Sequence, residues 1–294
     1  MPPLMTDSAS LGAAIAQRSE HALRCGALLP IATQRTVIED GGVRFVVREV
    51  SSLARKEAAT RAPHTPRAAD PFLPYEPDLF VADLSSTHVA LLNKYNVIAH
   101  HLLIVTRRFE PQQALLDQAD FAALCTALHA VDGLGFYNSG PEAGASQTHK
   151  HLQVAPLPID ESTATVPVEA LFDSVRFVDG IGTVPGLHFR HAFARLDLTG
   201  EDAAARMTGC YRALLDAAGI GTRDVQGVAH QATPYNLLVT RRWMLVVPRA
   251  AERVEGISVN ALGFAGSLFV RDAAQRQALA QIGPMAALAR VALR

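Results

Sequence analysis

The stretch YNLLVTRRWMLVVP, residues 235 to 248, sets two apolar runs on either side of a basic pair, Arg241-Arg242. Apolar runs of this length joined by so short a polar step read as an antiparallel β-hairpin with the arginines at its turn. Further strand-like runs lie at 43–50 (VRFVVREV), 88–92 and 101–106, and LHFRHAFARL alternates over 187–196 as a half-buried strand. Helical patterns separate them irregularly. Ser10 precedes one that ends near Cys25-Gly26. Asp120 caps a second, with Phe121, Leu124, Cys125, Leu128 and Val131 on one face and Gly133 as its stop. A third runs from Glu201 to Ala218 with Met207, Cys210, Tyr211, Leu214 and Leu215 as its stripe, and two short helices after Asp272 break at Gly283-Pro284. Strands grouped without a regular βαβ rhythm predict an α+β fold. The proline-rich segment 51–77 reads as an ordered loop, because DPFLPYEPDLFVADL soon restores apolar content.

The chain also echoes itself. YNVIAHHLLIVTRR (95–108) and YNLLVTRRWMLVVPR (235–249) share a Tyr-Asn, an apolar strand, a polar turn and a second strand ending in arginine. This predicts two related halves, 1–165 and 166–294. With 294 residues, 49% of them hydrophobic, the chain can bury a large core. A net charge of −1 gives no global field toward nucleic acid or anionic membrane. The three cysteines, Cys25, Cys125 and Cys210, are widely separated and form no C-x-x-C, as expected of reduced thiols in the cytoplasm. No apolar run approaches the ~20 residues needed to cross a bilayer. The opening MPPLMTDSAS has no signal-peptide pattern.

One stretch carries chemistry. NSGPEAGASQTHKHLQVAPLP, residues 138 to 158, places a loop of glycines, hydroxyls and amides before His149, His151 and Gln153. In an extended segment those three side chains share one face, with Leu152 and Val154 turned to the core and Lys150 at the exposed beginning. Two histidines on a strand can ligate zinc, but a closed site needs further ligands, and no cysteine pair or nearby carboxylate supplies them. A satisfied polar pair at a strand end is the second reading. The third is a nucleophile: a neutral imidazole, its tautomer fixed through the second nitrogen, attacking a phosphoryl group that the loop's backbone N–H groups and hydroxyls bind.

GASQTHKHLQVAPLP, preceded by FYNSGP, resembles the signature of the diadenosine tetraphosphate phosphorylases (ATP adenylyltransferases). These are the transferase branch of the histidine triad superfamily, with galactose-1-phosphate uridylyltransferase as a cousin. The segments 70–81, 93–112, 235–249 and 260–271 are similar to this family too, so the likeness runs from about residue 30 to 290. It implies an antiparallel sheet with flanking helices in two pseudo-repeated halves, consistent with the echo. It also implies that His151 is the nucleophile, forming an adenylyl-histidine, and that His149 supports its geometry. Gln153 stands where hydrolytic relatives carry a third histidine. An amide can bind a phosphate oxygen but does not titrate near neutral pH, which suits transfer between phosphate anions. The resemblance further points to Asn138, Ser139, Gly140, Ser146 and Gln147 as phosphate and ribose contacts, to Lys56 (or Arg55) over the polyphosphate, and to Asn93 and Lys94 near the nucleotide. Thr148 stands where the family often has proline. The expected partners are small nucleotides and phosphate, with neither nucleic acid nor membrane. No protein-held metal or cofactor is expected, and magnesium would arrive with the nucleotide. ADP-forming transfer on adenylyl sulfate, uridylyl transfer on sugar phosphates and non-catalytic dinucleotide sensing are the alternatives.

Overall fold

The apolar runs pair edge to edge because each leaves its backbone donors and acceptors unsatisfied until a neighbouring strand supplies partners. A computed structural model describes residues 8–50, 70–160, 165–200 and 202–294. In it β1 (Thr33–Asp40) and β2 (Val43–Val50) form a hairpin. β3 (Phe80–Asp83), β4 (His88–Leu92), β5 (Leu102–Thr106), β6 (Gly133–Asn138) and β7 (His151–Pro156) follow, then β8 (Arg176–Val178), β9 (Ile181–Thr183) and β10 (Ala192–Arg195). β11 (Thr222–Val225) and β12 (Val228–Gln231) form a small ribbon. β13 (Tyr235–Val239) and β14 (Trp243–Pro248) are the predicted hairpin, turning at 240–242. The short pair β15 (Arg253–Val254) and β16 (Ile257–Ser258) precedes β17 (Ser267–Val270), which joins β2 in parallel.

Ten strands make one antiparallel sheet in the order β3-β4-β5-β7-β6-β13-β14-β10-β9-β8. β7 is central, flanked by β5 and β6. Three helices cover one face: α1 (Ser8–Cys25), α2 (Gln118–Ala130) and α3 (Ala203–Ala217). Leu11, Phe121, Leu124, Tyr211 and Leu214 from these helices pack with Leu152 and Val154 of β7 and Leu237 and Val239 of β13. On the other face, Leu238, Leu245 and Val247 meet Phe45 and Val47 of β2, Leu268 of β17, and residues of α4 (Ala261–Ala265), α5 (Ala273–Ile282) and α6 (Pro284–Val291). That second layer does not extend over β4 and β5, where Phe72 packs on Val89, Leu91, Leu103 and Val105 instead. The helix face is therefore sealed, while the opposite face of β7 lies between two apolar clusters. Among the described residues no helix is long and apolar enough to cross a membrane.

Several expectations change in detail. Asp117, not Asp120, is the N-cap of α2, and Asp120 returns the bond to the Asp117 N–H in a capping box, because the helix begins one turn earlier than its apolar stripe. Only Ala192–Arg195 of the alternating 187–196 run is strand. Before it, Arg190 N–H is committed to Leu293 O and the His191 ring accepts from Val184 N–H, so this backbone pairs with loop and C-terminal segment rather than sheet. In the echoed segment 95–108, Tyr95 to His101 form a loop between β4 and β5, not a strand. The Asn93 side chain accepts from Tyr95 N–H, and His100 takes a left-handed conformation at φ 58°. The echoed segments therefore differ in structure: 95–108 holds only β5, whose partner β4 lies ahead of it, whereas 235–249 holds the whole hairpin β13–β14. Arg241, at the hairpin turn, is not left to solvent: it donates to the Leu128 and His129 carbonyls and so caps the end of α2.

Candidate active site

Strand alternation sends His151 and Gln153 to the open face, beside their cross-strand neighbours Val105 and Leu103. His149, two residues earlier, lies just ahead of β7 and bridges to Pro111. All three therefore share a face, as the spacing predicts. The Phe72 ring packs on both imidazoles, with centroids 5.7 Å from His149 and 5.2 Å from His151. Phe72 is placed there by Asp70, which accepts Phe72 N–H with one carboxylate oxygen at 2.9 Å and holds His149 Nδ1 with the other at 2.7 Å. His149 Nε2 faces Thr106, 2.8 Å from its Oγ1 and 3.0 Å from its carbonyl. His149 is thus pinned at both nitrogens.

His151 differs. Its Nδ1 lies 2.8 Å from the His149 carbonyl, which can only accept, so the proton sits on Nδ1 and the lone pair on Nε2. Nε2 has no hydrogen-bond partner among the described residues. Burial pushes the His151 pKa down to about 4, countered in part by the His149 carbonyl, so the imidazole is neutral near pH 7. Its backbone is braced by Gln112, whose Oε1 accepts His151 N–H at 2.9 Å while its Nε2 donates to Asn138 O at 2.8 Å. Gln112 thereby bridges β7 to β6 where the two strands part.

Beside Gln153 opens a pocket of about 240 Å³ that gathers Asn93, Asn138, Ser146 and Gln153 of the predicted residues. Tyr95, His101 and Asn260 join them. His101 is buried and its Nε2 has no partner among the described residues. Burial holds its pKa at about 4, opposed by the Gln153 side chain and reinforced by His151. The loop that frames the pocket needs its glycines. Gly144 sits at φ +87°, and a Cβ there would meet the Asn260 side chain and the Val259 carbonyl at 2.9 Å. Gly140, at φ +132°, starts the turn 141–143 and lies against Gln113.

Other predicted residues face elsewhere. Ser139 Oγ accepts Tyr235 N–H at 2.7 Å, and Asn138 Oδ1 accepts from Asn236 and from Ala261 N–H, so this part of the motif also fastens β6 to β13 and α4. Lys94 pairs with Glu76 at 2.6 Å and does not line the pocket. Gln147 is half-buried and outside the lining. Lys56 and Arg55 lie outside the described residues. Lys150, expected at an exposed strand start, is buried on the helix face. It pairs with Asp120 at 2.7 Å and Glu110 at 2.8 Å, and Asp120 also holds His88 at 3.0 Å. Distant carboxylates draw the lysine inside, because a buried ammonium needs compensating charge. Among the described residues, the His/Cys/carboxylate group with ligating atoms within 4.8 Å of one another is His21, Cys25 and Asp78, which includes no residue of the motif.

The family model described as the Ap4A phosphorylase N-terminal domain matches residues 2–174, and that of the ATP adenylyltransferase C-terminal domain matches residues 185–294. The chain belongs to the Ap4A phosphorylase family. Among curated relatives, the Saccharomyces cerevisiae diadenosine 5′,5‴-P1,P4-tetraphosphate phosphorylase 2 is 28% identical over 78% of this chain and 77% of its own. The Saccharomyces cerevisiae protein APA1 is 27% identical over 91% and 89%. The crystal structure of yeast Ap4A phosphorylase Apa2 superposes with a TM-score of 0.78 at 24% identity, covering 96% of this chain and 94% of that one. Its complex with Ap4A gives 0.75 at 22% identity, covering 96% and 97%. The α+β fold read from the sequence is thus the family's fold.

Within this family member, Asp70, Phe72, His101, Thr106, Gln112 and Asn260 join the site without being among the residues expected from the sequence. Arg249 is the least expected. It is buried, its pKa lowered to about 10 by burial, and it donates to Asn236 Oδ1 and to the Val259, Ala143 and Val291 carbonyls. It ties the glycine loop to the C-terminal segment. The one available signal was the arginine that ends the echoed strand.

Proposed function

We propose that this protein cleaves diadenosine tetraphosphate with inorganic phosphate to give ATP and ADP, carrying the adenylyl group on His151 Nε2. The observation that carries the reading is the His151 Nδ1 bond to the His149 carbonyl in a buried setting, which leaves a neutral ring with its lone pair on Nε2. In the first step that lone pair forms a bond to the α-phosphorus, and the bond from phosphorus to the bridging oxygen breaks, releasing ATP. In the second, a phosphate oxygen attacks the same phosphorus, the P–N bond breaks and ADP leaves. Both leaving groups depart as stabilised species, so neither requires a strong general acid, in keeping with an amide at Gln153. Asn93, Asn138 and Ser146 around the pocket supply polar contacts for one nucleoside and its phosphate. Magnesium bound to the substrate's phosphates would neutralise developing charge. Three free, separated cysteines support a cytoplasmic setting.

The family assignment favours the tetraphosphate over adenylyl sulfate, which would share the nucleophile. Incubation with diadenosine tetraphosphate, with and without phosphate, followed by nucleotide chromatography tests the reading. Phosphate-dependent ATP plus ADP is expected. Two ADP, or ATP plus AMP independent of phosphate, would make the protein a hydrolase, and unconsumed dinucleotide would make it a sensor.

A further inference from the structure

The pocket beside Gln153 is smaller than the ~300–1,000 Å³ that encloses a whole drug-sized ligand. It takes one nucleoside, and a dinucleoside substrate leaves its second nucleoside outside. The large aromatics exposed among the described residues are Tyr95, Phe109 and Phe177. Two of them bracket the histidine motif. Tyr95 lines the pocket at the Gln153 end. Phe109 lies at the opposite end, 56% exposed, its ring centroid 5.5 Å from that of His149. From Gln153 to His149 the extended chain spans about 13 Å, with His151 between them. A substrate with its inner nucleoside in the pocket and its α-phosphorus at His151 therefore extends its polyphosphate toward Phe109.

The chain around Phe109 is built to hold it in place. Thr106 Oγ1 donates to the Arg108 carbonyl at 2.8 Å, and Arg107 is pinned to Asp83 and to the Ser85 carbonyl. Arg108 is exposed, and its guanidinium has no partner among the described residues. A fixed aromatic face beside an exposed guanidinium is the pairing that binds a base and its phosphates.

We infer that Phe109 is the stacking platform for the distal nucleoside of the dinucleotide, with Arg108 on the adjoining polyphosphate. This rests on the phosphorolysis proposed above. The site would hold the nucleotide that departs as ATP, and in the reverse direction the ATP that accepts the adenylyl group. Stacking uses the π-face that every base has, so the outer site tolerates any base.

The test compares diadenosine tetraphosphate with adenosine 5′-tetraphosphate, which keeps the inner nucleoside and the phosphate chain but lacks the distal nucleoside. Phe109→Ala should lower kcat/KM on the dinucleotide about tenfold relative to the mononucleotide, chiefly through KM. Phe109→Trp should restore the ratio. Phe109→Leu, which keeps an apolar contact to His149 without an aromatic face, should behave like the alanine variant. Equal losses on both substrates would mean that Phe109 acts only through His149, and no loss on either would mean that it binds nothing; either overturns the platform. A wild-type protein inactive on both substrates would instead remove the phosphorolysis itself, and the platform with it.

Discussion

Lowering the pH probes the burial of His151 directly. An ordinary histidine, with a pKa near 6.5, is only about one-tenth neutral at pH 5.5. His151, held at about 4 by burial under Phe72 and within the sheet, is about 97% neutral at the same pH. The dinucleotide is esterified at both ends and has no phosphate ionisation near neutrality, so above the range where its adenines protonate kcat/KM for it reports the enzyme. That parameter should stay flat from pH 8 to about 5 and fall with an apparent pKa near 4. Phe72→Ala lets water reach the ring, and should move the acid limb up toward 6.5, leaving between a tenth and a half of the plateau at pH 5.5. Histidine side-chain NMR of the free protein gives an independent titration. Stability follows the same linkage. The unfolded chain takes up protons at His151 and His101 from about pH 6.5 downward, whereas the folded chain does so only near 4. Stability is therefore lost as pH falls through that window, by up to about 3 kcal/mol for each histidine. A wild-type acid limb near 6.5, or a Phe72→Ala profile that does not move, would refute the buried, neutral nucleophile.

Three further outcomes follow from the supporting structure. Lys150→Met strands Asp120 without its buried ammonium partner and should cost about 3 kcal/mol in denaturant unfolding; a loss under 0.5 kcal/mol would show the pair to be solvated. Arg249→Lys keeps the charge but cannot reach the same set of carbonyls, so melting temperature should fall and KM for the dinucleotide rise, because the glycine loop loses its tether at Ala143. Two in-line displacements at one phosphorus predict overall retention of configuration with a chiral α-phosphorothioate, and inversion would exclude the covalent path.

The sequence was most legible where physics is local. The hairpin at 235–248 is written in two apolar runs and a short turn. The shared face of His149, His151 and Gln153 follows from a period of two. The break at Gly283-Pro284 needs only backbone chemistry. Reading failed where a residue's environment comes from far along the chain. Lys150 looks like a solvated residue until α2 and the segment after β5 bring Asp120 and Glu110 to it. Asp70 precedes His149 by 79 positions, and no spacing rule links an Asx turn in a proline-rich loop to a strand in the centre of the sheet. Arg249 reads as the end of a strand, yet six hydrogen-bond acceptors from four separate segments converge on it. His101 became a pocket residue only because Tyr95 to Ile98 loop out instead of continuing the echoed strand.

The proposed path passes through a covalent adenylyl group on His151. The direct measurement is mass spectrometry of the protein quenched after mixing with diadenosine tetraphosphate in the absence of phosphate. One adenylyl group per chain should be found on the peptide containing His151, with a stoichiometric burst of ATP, and later addition of phosphate should discharge it as ADP. Steady phosphate-dependent turnover with no adenylylated peptide, or with the label on another residue, would contradict the account.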